Sequence, residues 1–180
     1  MGSTDASSGH PGKLQAEGDA PPSESRITVE VTQQFTEKHP GEVTIVFVNK
    51  SDIRRSIWFG PTPPFAGYIG KHEKIGARLL LIPKTQTGPA PRRPGIDEFT
   101  PKRPENGCWR AKSELVYTPI KKEVEFEPQE EIATEYVLLA HPANEGCIPI
   151  GKYRFEESNY RDDMSWGFSL SVQASQDAPG

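Results

Sequence analysis

The dominant period of this chain's apolar residues is two. Ile27, Val29 and Val31 alternate with Thr28, Glu30 and Thr32, and Trp166, Phe168, Leu170 and Val172 alternate with Gly167, Ser169 and Ser171. That spacing puts one row of side chains on each face of an extended strand. "GEVTIVFVN" (41–49), "RSIWFG" (55–60), "ARLLLIP" (77–83), "EVEFEP" (123–128), "EYVLLA" (135–140) and "KYRFE" (152–156) are further strands, and "KSELVYT" (112–118) is a weaker one. Val46 and Val48 make the second face of 41–49 partly apolar, which predicts a strand covered on both sides. Only "QEEIATEY" (129–136) has room for a turn of helix. Eight or nine short strands predict an all-β antiparallel sandwich.

Punctuation agrees with this. The chain has 18 prolines and 16 glycines in 180 residues, well above average usage, so turns and long loops connect the strands. The predicted core is Val29, Val31, Ile45, Phe47, Ile57, Leu80, Phe126, Leu138, Tyr153, Phe155, Phe168 and Leu170. Residues 1–25 contain one Leu and no Ile, Val or aromatic residue, and they read as a disordered tether. The sandwich is expected over 26–173, with a disordered tail at 174–180. Within it, 83–107 is a long Pro-rich loop carrying Pro83, Pro89, Pro91, Pro94, Pro101 and Pro104.

Bulk charge narrows the partners. A net charge of −4 argues against nucleic acid or an anionic membrane as default partner of the whole chain. The longest aliphatic run, Leu79–Ile82, is far short of the ~18 residues that span a bilayer. A lipid tether at the N-terminus is compatible with the sequence. Asn49-Lys50-Ser51 matches a glycosylation acceptor and falls in a predicted turn.

The two cysteines, Cys108 and Cys147, each follow a Gly beside a turn. Cysteines so placed can serve as metal ligands, as a nucleophile or as a cross-link. His10, His39, His72 and His141 have no mutual ligand spacing, and none adjoins a Cys. His141, six residues from Cys147, is the nearest base, but no third orienting group accompanies it. Glu123, Glu125 and Glu127 read as the solvated face opposite Val124 and Phe126. The expectation is therefore a Cys108–Cys147 disulfide in an oxidising compartment, with no cofactor, no metal and no catalytic set.

"CIPIGKYRF" (147–155) resembles one strand corner of immunoglobulin-like sandwiches. Gly151-Lys152-Tyr153 has the spacing of their tyrosine corner, and Phe155 stands where antibody-type domains carry a core Cys. The order of "VEFEPQE", "YVLLA", G-x-Y-x-F and "WGFSLSV" resembles the bacillar intracellular proteinase inhibitor family. It is also similar to small β-sandwich domains of archaeal surface lipoproteins, in which two Gly-Cys segments occur together. "VTIVFVNKSDIRRSIWF" (43–59) looks like the first strands of a cupredoxin. Arg54, Arg55 and Ser56 occupy the place of its His ligand, however, and no His follows Cys147, so copper is not expected.

These features predict an immunoglobulin-like Greek-key sandwich acting as a non-enzymatic, extracytoplasmic, monomeric binding or structural module whose partner is a protein or cell-envelope component. The alternative is a protease inhibitor presenting 83–107 in extended form. The expected contact residues are Phe65 and Tyr68 on the stiff loop "FGPTPPFAGYIG" (59–70), Arg92 and Arg93 on the long loop, and Trp109 at its end.

Overall fold

A computed structural model describes residues 12–89, 99–114, 120–157 and 165–174. Ten antiparallel strands and no helix occur among them. They are β1 (Leu14–Gly18), β2 (Ser25–Gln33), β3 (Gly41–Asn49), β4 (Arg55–Phe59), β5 (Ile69–His72), β6 (Arg78–Thr87), β7 (Lys122–Phe126), β8 (Glu131–Ala140), β9 (Gly151–Glu157) and β10 (Trp166–Val172). Eight strands form one hydrogen-bonded sheet in the order β1-β10-β9-β5-β6-β8-β3-β2, and β4 and β7 form a separate ribbon.

The eight-stranded sheet curls until its two edges nearly meet. The carboxamide of Gln34, just past β2, bridges them. It accepts a bond from the Leu14 amide at 2.7 Å and donates to the Leu14 carbonyl at 3.1 Å. A side chain thus supplies the donor and acceptor that a neighbouring strand would have given.

The period-two faces fix what the curl encloses. Val43, Ile45 and Phe47 lie on one face of β3 and are all buried. Val43 and Ile45 join the main core with Leu79–Ile82, Tyr136–Ala140, Tyr153, Phe155, Phe168 and Leu170. Phe47 instead meets the ribbon, packing with Ile57, Phe59, Val124, Phe126 and Ile132. Its ring is edge-on to Phe59 at 5.5 Å and tilted to Phe126 at 5.1 Å. The ribbon therefore continues the layer opposite β2-β3-β8. Of the predicted core, Val29 and Val31 are only partly buried, because β2 is a sheet edge; the rest is buried.

Four expectations need correction. The domain does not begin at residue 26: β1 pairs with β10 from Leu14↔Val172 to Gly18↔Phe168, and Leu14 is buried. The helical turn at 129–136 is absent, because β8 begins at Glu131 with Ile132 and Thr134 turned inward. The loop expected from 83 starts only after Thr87. β6 carries Pro83 through a register shift between Pro83 and Thr85, beyond the stretch paired with β5. No strand forms at 112–114, and the rest of the expected strand 112–118 lies outside the described residues, as do 175–180 of the expected tail.

Leu14→Ala should cost about 2–5 kcal/mol and Phe168→Ala about 3–5 kcal/mol, read from urea midpoints; a disordered residue 14 would give no change.

Candidate functional site

Among the described residues of the connection from β6 to β7, the anchors lie at 105–111. Asn106 and Gly107 both take positive φ, 53° and 78°, as a two-residue turn of the I′ kind requires. The turn closes with two bonds of 2.9 Å between the backbones of Glu105 and Cys108. Cys108 is disulfide-bonded to Cys147, with Cα atoms 5.7 Å apart across a sequence separation of 39. The expected cross-link is thus formed.

Beyond Cys108 the chain runs beside the end of β8. The Ala140 amide donates to the Trp109 carbonyl (2.8 Å), and the Ala111 amide to the Ala140 carbonyl (3.0 Å). Between them, Arg110 spreads its guanidinium over the 141–146 turn. It donates to the carbonyls of His141, Pro142 and Asn144 at 3.1–3.3 Å and also to that of Gly146. Asn144 fastens the same turn to β6: its Oδ1 accepts from the Arg78 amide (2.8 Å), and its Nδ2 donates to the carbonyls of Arg78 (2.7 Å) and Cys147 (3.0 Å). This corner holds the long connection to a rigid scaffold and leaves Lys102, Arg103 and Glu105 exposed on it.

Three expected contact residues point inward instead. Phe65 is 1% exposed, Tyr68 5% and Trp109 2%. Trp109 donates its indole N–H to the Thr36 carbonyl at 2.7 Å. Phe65 sets its ring edge-on to Trp166 (5.5 Å) and Phe168 (5.4 Å) on β10. These side chains are core, not exposed anchors. Arg92 and Arg93 lie outside the described residues.

The 60–68 segment is buried because its polar backbone finds partners inside. The Pro63 carbonyl accepts from Gln86 Nε2 (2.7 Å) and Thr134 Oγ1 (2.8 Å), and the Phe65 carbonyl from the Tyr136 hydroxyl (2.5 Å). Tyr68 and Thr62 share a hydroxyl–hydroxyl bond. Glu157, at the end of β9, accepts from the amides of Ala66 (2.8 Å) and Gly60. Burial pushes the Glu157 carboxyl up to about 7, although both amide bonds pull it down. Burial first, and the nearby Glu157 charge second, raise the Tyr136 hydroxyl well above the ordinary tyrosine range, so it remains a donor.

The remaining candidates have structural roles. Asn49 is fully buried and donates to the carbonyls of Ile53, Phe126 and Glu127, so the glycosylation acceptor is closed in the folded chain. His141 is buried and accepts from the Ala143 amide at 3.0 Å. Desolvation and Arg78 lower its pKa, and Glu114 partly offsets them. Glu123, Glu125 and Glu127 are exposed opposite buried Val124 and Phe126. Among the described residues, no group of three or more His, Cys, Asp or Glu is placed to hold a metal ion. No protein-family model, curated protein or solved structure matches this chain.

Two outcomes are expected. Cys108→Ser/Cys147→Ser should lower stability by about 4 kcal/mol on a chain-entropy model, measured by denaturation. Because the folded Glu157 pKa is raised, its stabilising contribution is full below the unfolded value, 4.5, and is lost as pH rises through about 7. Wild type should thus lose about 2–3 kcal/mol relative to Glu157→Gln between about pH 5 and pH 8. His141 acts in the opposite sense, losing its contribution as pH falls below about 6.5, and it cancels in that comparison.

Proposed function

We propose that this chain is a non-enzymatic, extracytoplasmic binding or structural module of immunoglobulin-like topology, which meets a protein or cell-envelope partner as a monomer. The observation that carries the reading is the Cys108–Cys147 disulfide, since such bonds persist in oxidising compartments. It holds the return leg of the β6–β7 connection on a rigid framework, the usual arrangement of a binding loop. Arg92 and Arg93 belong to that connection in sequence and, with exposed Lys102 and Arg103, give it basic character.

The strand order supports the immunoglobulin-like assignment. β2-β3-β8-β6 follows the A-B-E-D order of those sandwiches, and β5-β9-β10 the C-F-G order. Tyr153, at the start of β9, donates its hydroxyl to the Pro149 carbonyl four residues upstream at 2.6 Å, the bond that defines a tyrosine corner. The β5–β6 pairing, which joins the two groups of strands into one sheet, and the β4–β7 ribbon are additions to that plan.

Location and thiol state test the reading together. In its native cells the protein should be cleaved by protease added outside intact cells and should show no free thiol on alkylation under denaturing, non-reducing conditions. A cytosolic protein with two free thiols overturns it. The inhibitor alternative rests on the same anchored connection. It would replace the binding-module reading if the intact protein inhibits members of a protease panel and a Gly-Ser replacement of residues 90–98 abolishes that inhibition.

A further inference from the structure

One end of the molecule combines exposed aliphatic side chains with lysines and is also where the N-terminal segment leaves. Two turns meet there: 73–76, between β5 and β6, and 141–150, between β8 and β9. At their tips Ile75 is 52% exposed and Ile150 49%. One imidazole holds both in place. His72 Nε2–H donates to the Ile150 carbonyl at 2.9 Å, while its Nδ1 accepts from the amides of Lys74 (3.0 Å) and Ile75 (3.3 Å). The bond pattern assigns this tautomer. Gly151, at φ 144°, lets the ring sit there, because a Cβ would collide with His72 Nε2. The apolar pair is therefore held in fixed relation rather than displayed on loose loops.

Lysines surround it. Lys71, Lys74, Lys152 and Lys13 are all exposed. The Lys152 carbonyl accepts from the Glu73 amide (3.0 Å), and the Lys13 carbonyl from the Gln173 amide (2.9 Å). Val172 pairs with both Leu14 and Gly151, so Lys13 lies about two strand spacings, or ~10 Å, from the 150 turn. Glu73 and Glu145 are the exposed carboxylates of these two turns. Four lysines against two carboxylates make this end locally basic on a chain of net charge −4. Nearby, the exposed Glu37 and Lys38 offset each other, as do exposed Lys112 and Glu114, the latter 4.0 Å from His141.

We propose that this end docks on an anionic lipid bilayer, with Ile75 and Ile150 entering the headgroup layer and Lys13, Lys71, Lys74 and Lys152 meeting lipid phosphates. The inference rests on the extracytoplasmic module reading and adds its orientation. Residues 1–11, which precede the described chain at this end, reach at most about 40 Å when extended. A module held at the membrane through that segment faces the bilayer with this end. The whole-chain charge opposes attraction at long range, so docking is a short-range contact set by the local arrangement.

Flotation of the purified full chain with vesicles tests this. Vesicles of phosphatidylcholine mixed equally with phosphatidylglycerol should carry the protein, and vesicles of phosphatidylcholine alone should carry much less. Added salt should weaken binding. Lys71→Glu/Lys74→Glu/Lys152→Glu should reduce binding roughly tenfold or more, and Ile75→Ser/Ile150→Ser about tenfold, with melting temperatures unchanged because all five side chains are exposed. No binding to anionic vesicles, or binding that neither variant weakens, overturns the proposal. A dimer in sedimentation velocity that Ile75→Ser/Ile150→Ser makes monomeric also overturns it, assigning the patch to a second copy of the chain. The vesicles are added to purified protein, so failure here leaves the cellular-location test untouched, and failure there leaves this one standing.

Discussion

Strand β6 is hydrogen-bonded to β8 from Leu79 to Thr87 and to β5 over Arg78–Leu80, so the two groups of strands share one backbone ladder through it. Leu79, Leu80, Leu81 and Ile82 are all buried, which places apolar contacts on both of its faces. From this shared strand the sheet curls in both directions until Gln34 bridges β2 to β1. The ends of β6 also position the other features. Its first residue is fastened by Asn144 to the disulfide corner, and Gln86, near its last, anchors the buried 60–68 segment.

The molecule has a second organising rule: backbone carbonyls outside the sheet are satisfied by a few side chains with several donors. Arg110 serves four, Asn49 three, and Gln86 and Thr134 share one. Such centres let Pro-rich segments lie inside the protein with their carbonyls paired, at the cost of one buried acceptor, Gln86 Oε1, that has no partner among the described residues. They also explain why stiff loops that read as displays of aromatic rings turn those rings inward.

The strands with full period-two runs were legible in the sequence, as was the disulfide, from an even cysteine count with no chemical partners. β1 was hidden because "LQAEG" offers only Leu14 and Ala16 to a core; its place depends on β10 and on Gln34, both distant in sequence. β5 is four residues long and includes Gly70, too little for a local signal. The burial of Phe65 and Tyr68 was illegible for a related reason. The groups that receive their loop, Gln86, Thr134, Tyr136 and Glu157, lie 23 to 91 residues away from their partners. The shifted Glu157 carboxyl gave no pattern at all, since its burial depends on the distant 60–68 segment packing over it.

The Leu14↔Val172 pairing has a mechanical meaning. The chain enters the sheet on β1 and leaves it on β10, an adjacent antiparallel strand, at the same end of the molecule. Modules that enter at one end and leave at the other can be strung like beads, and tension then loads their terminal strands in shear. Here a pull between the two points would open the β1–β10 bonds one after another, as a zipper opens. That geometry suits a pendant held from one side better than a link in a force-bearing row.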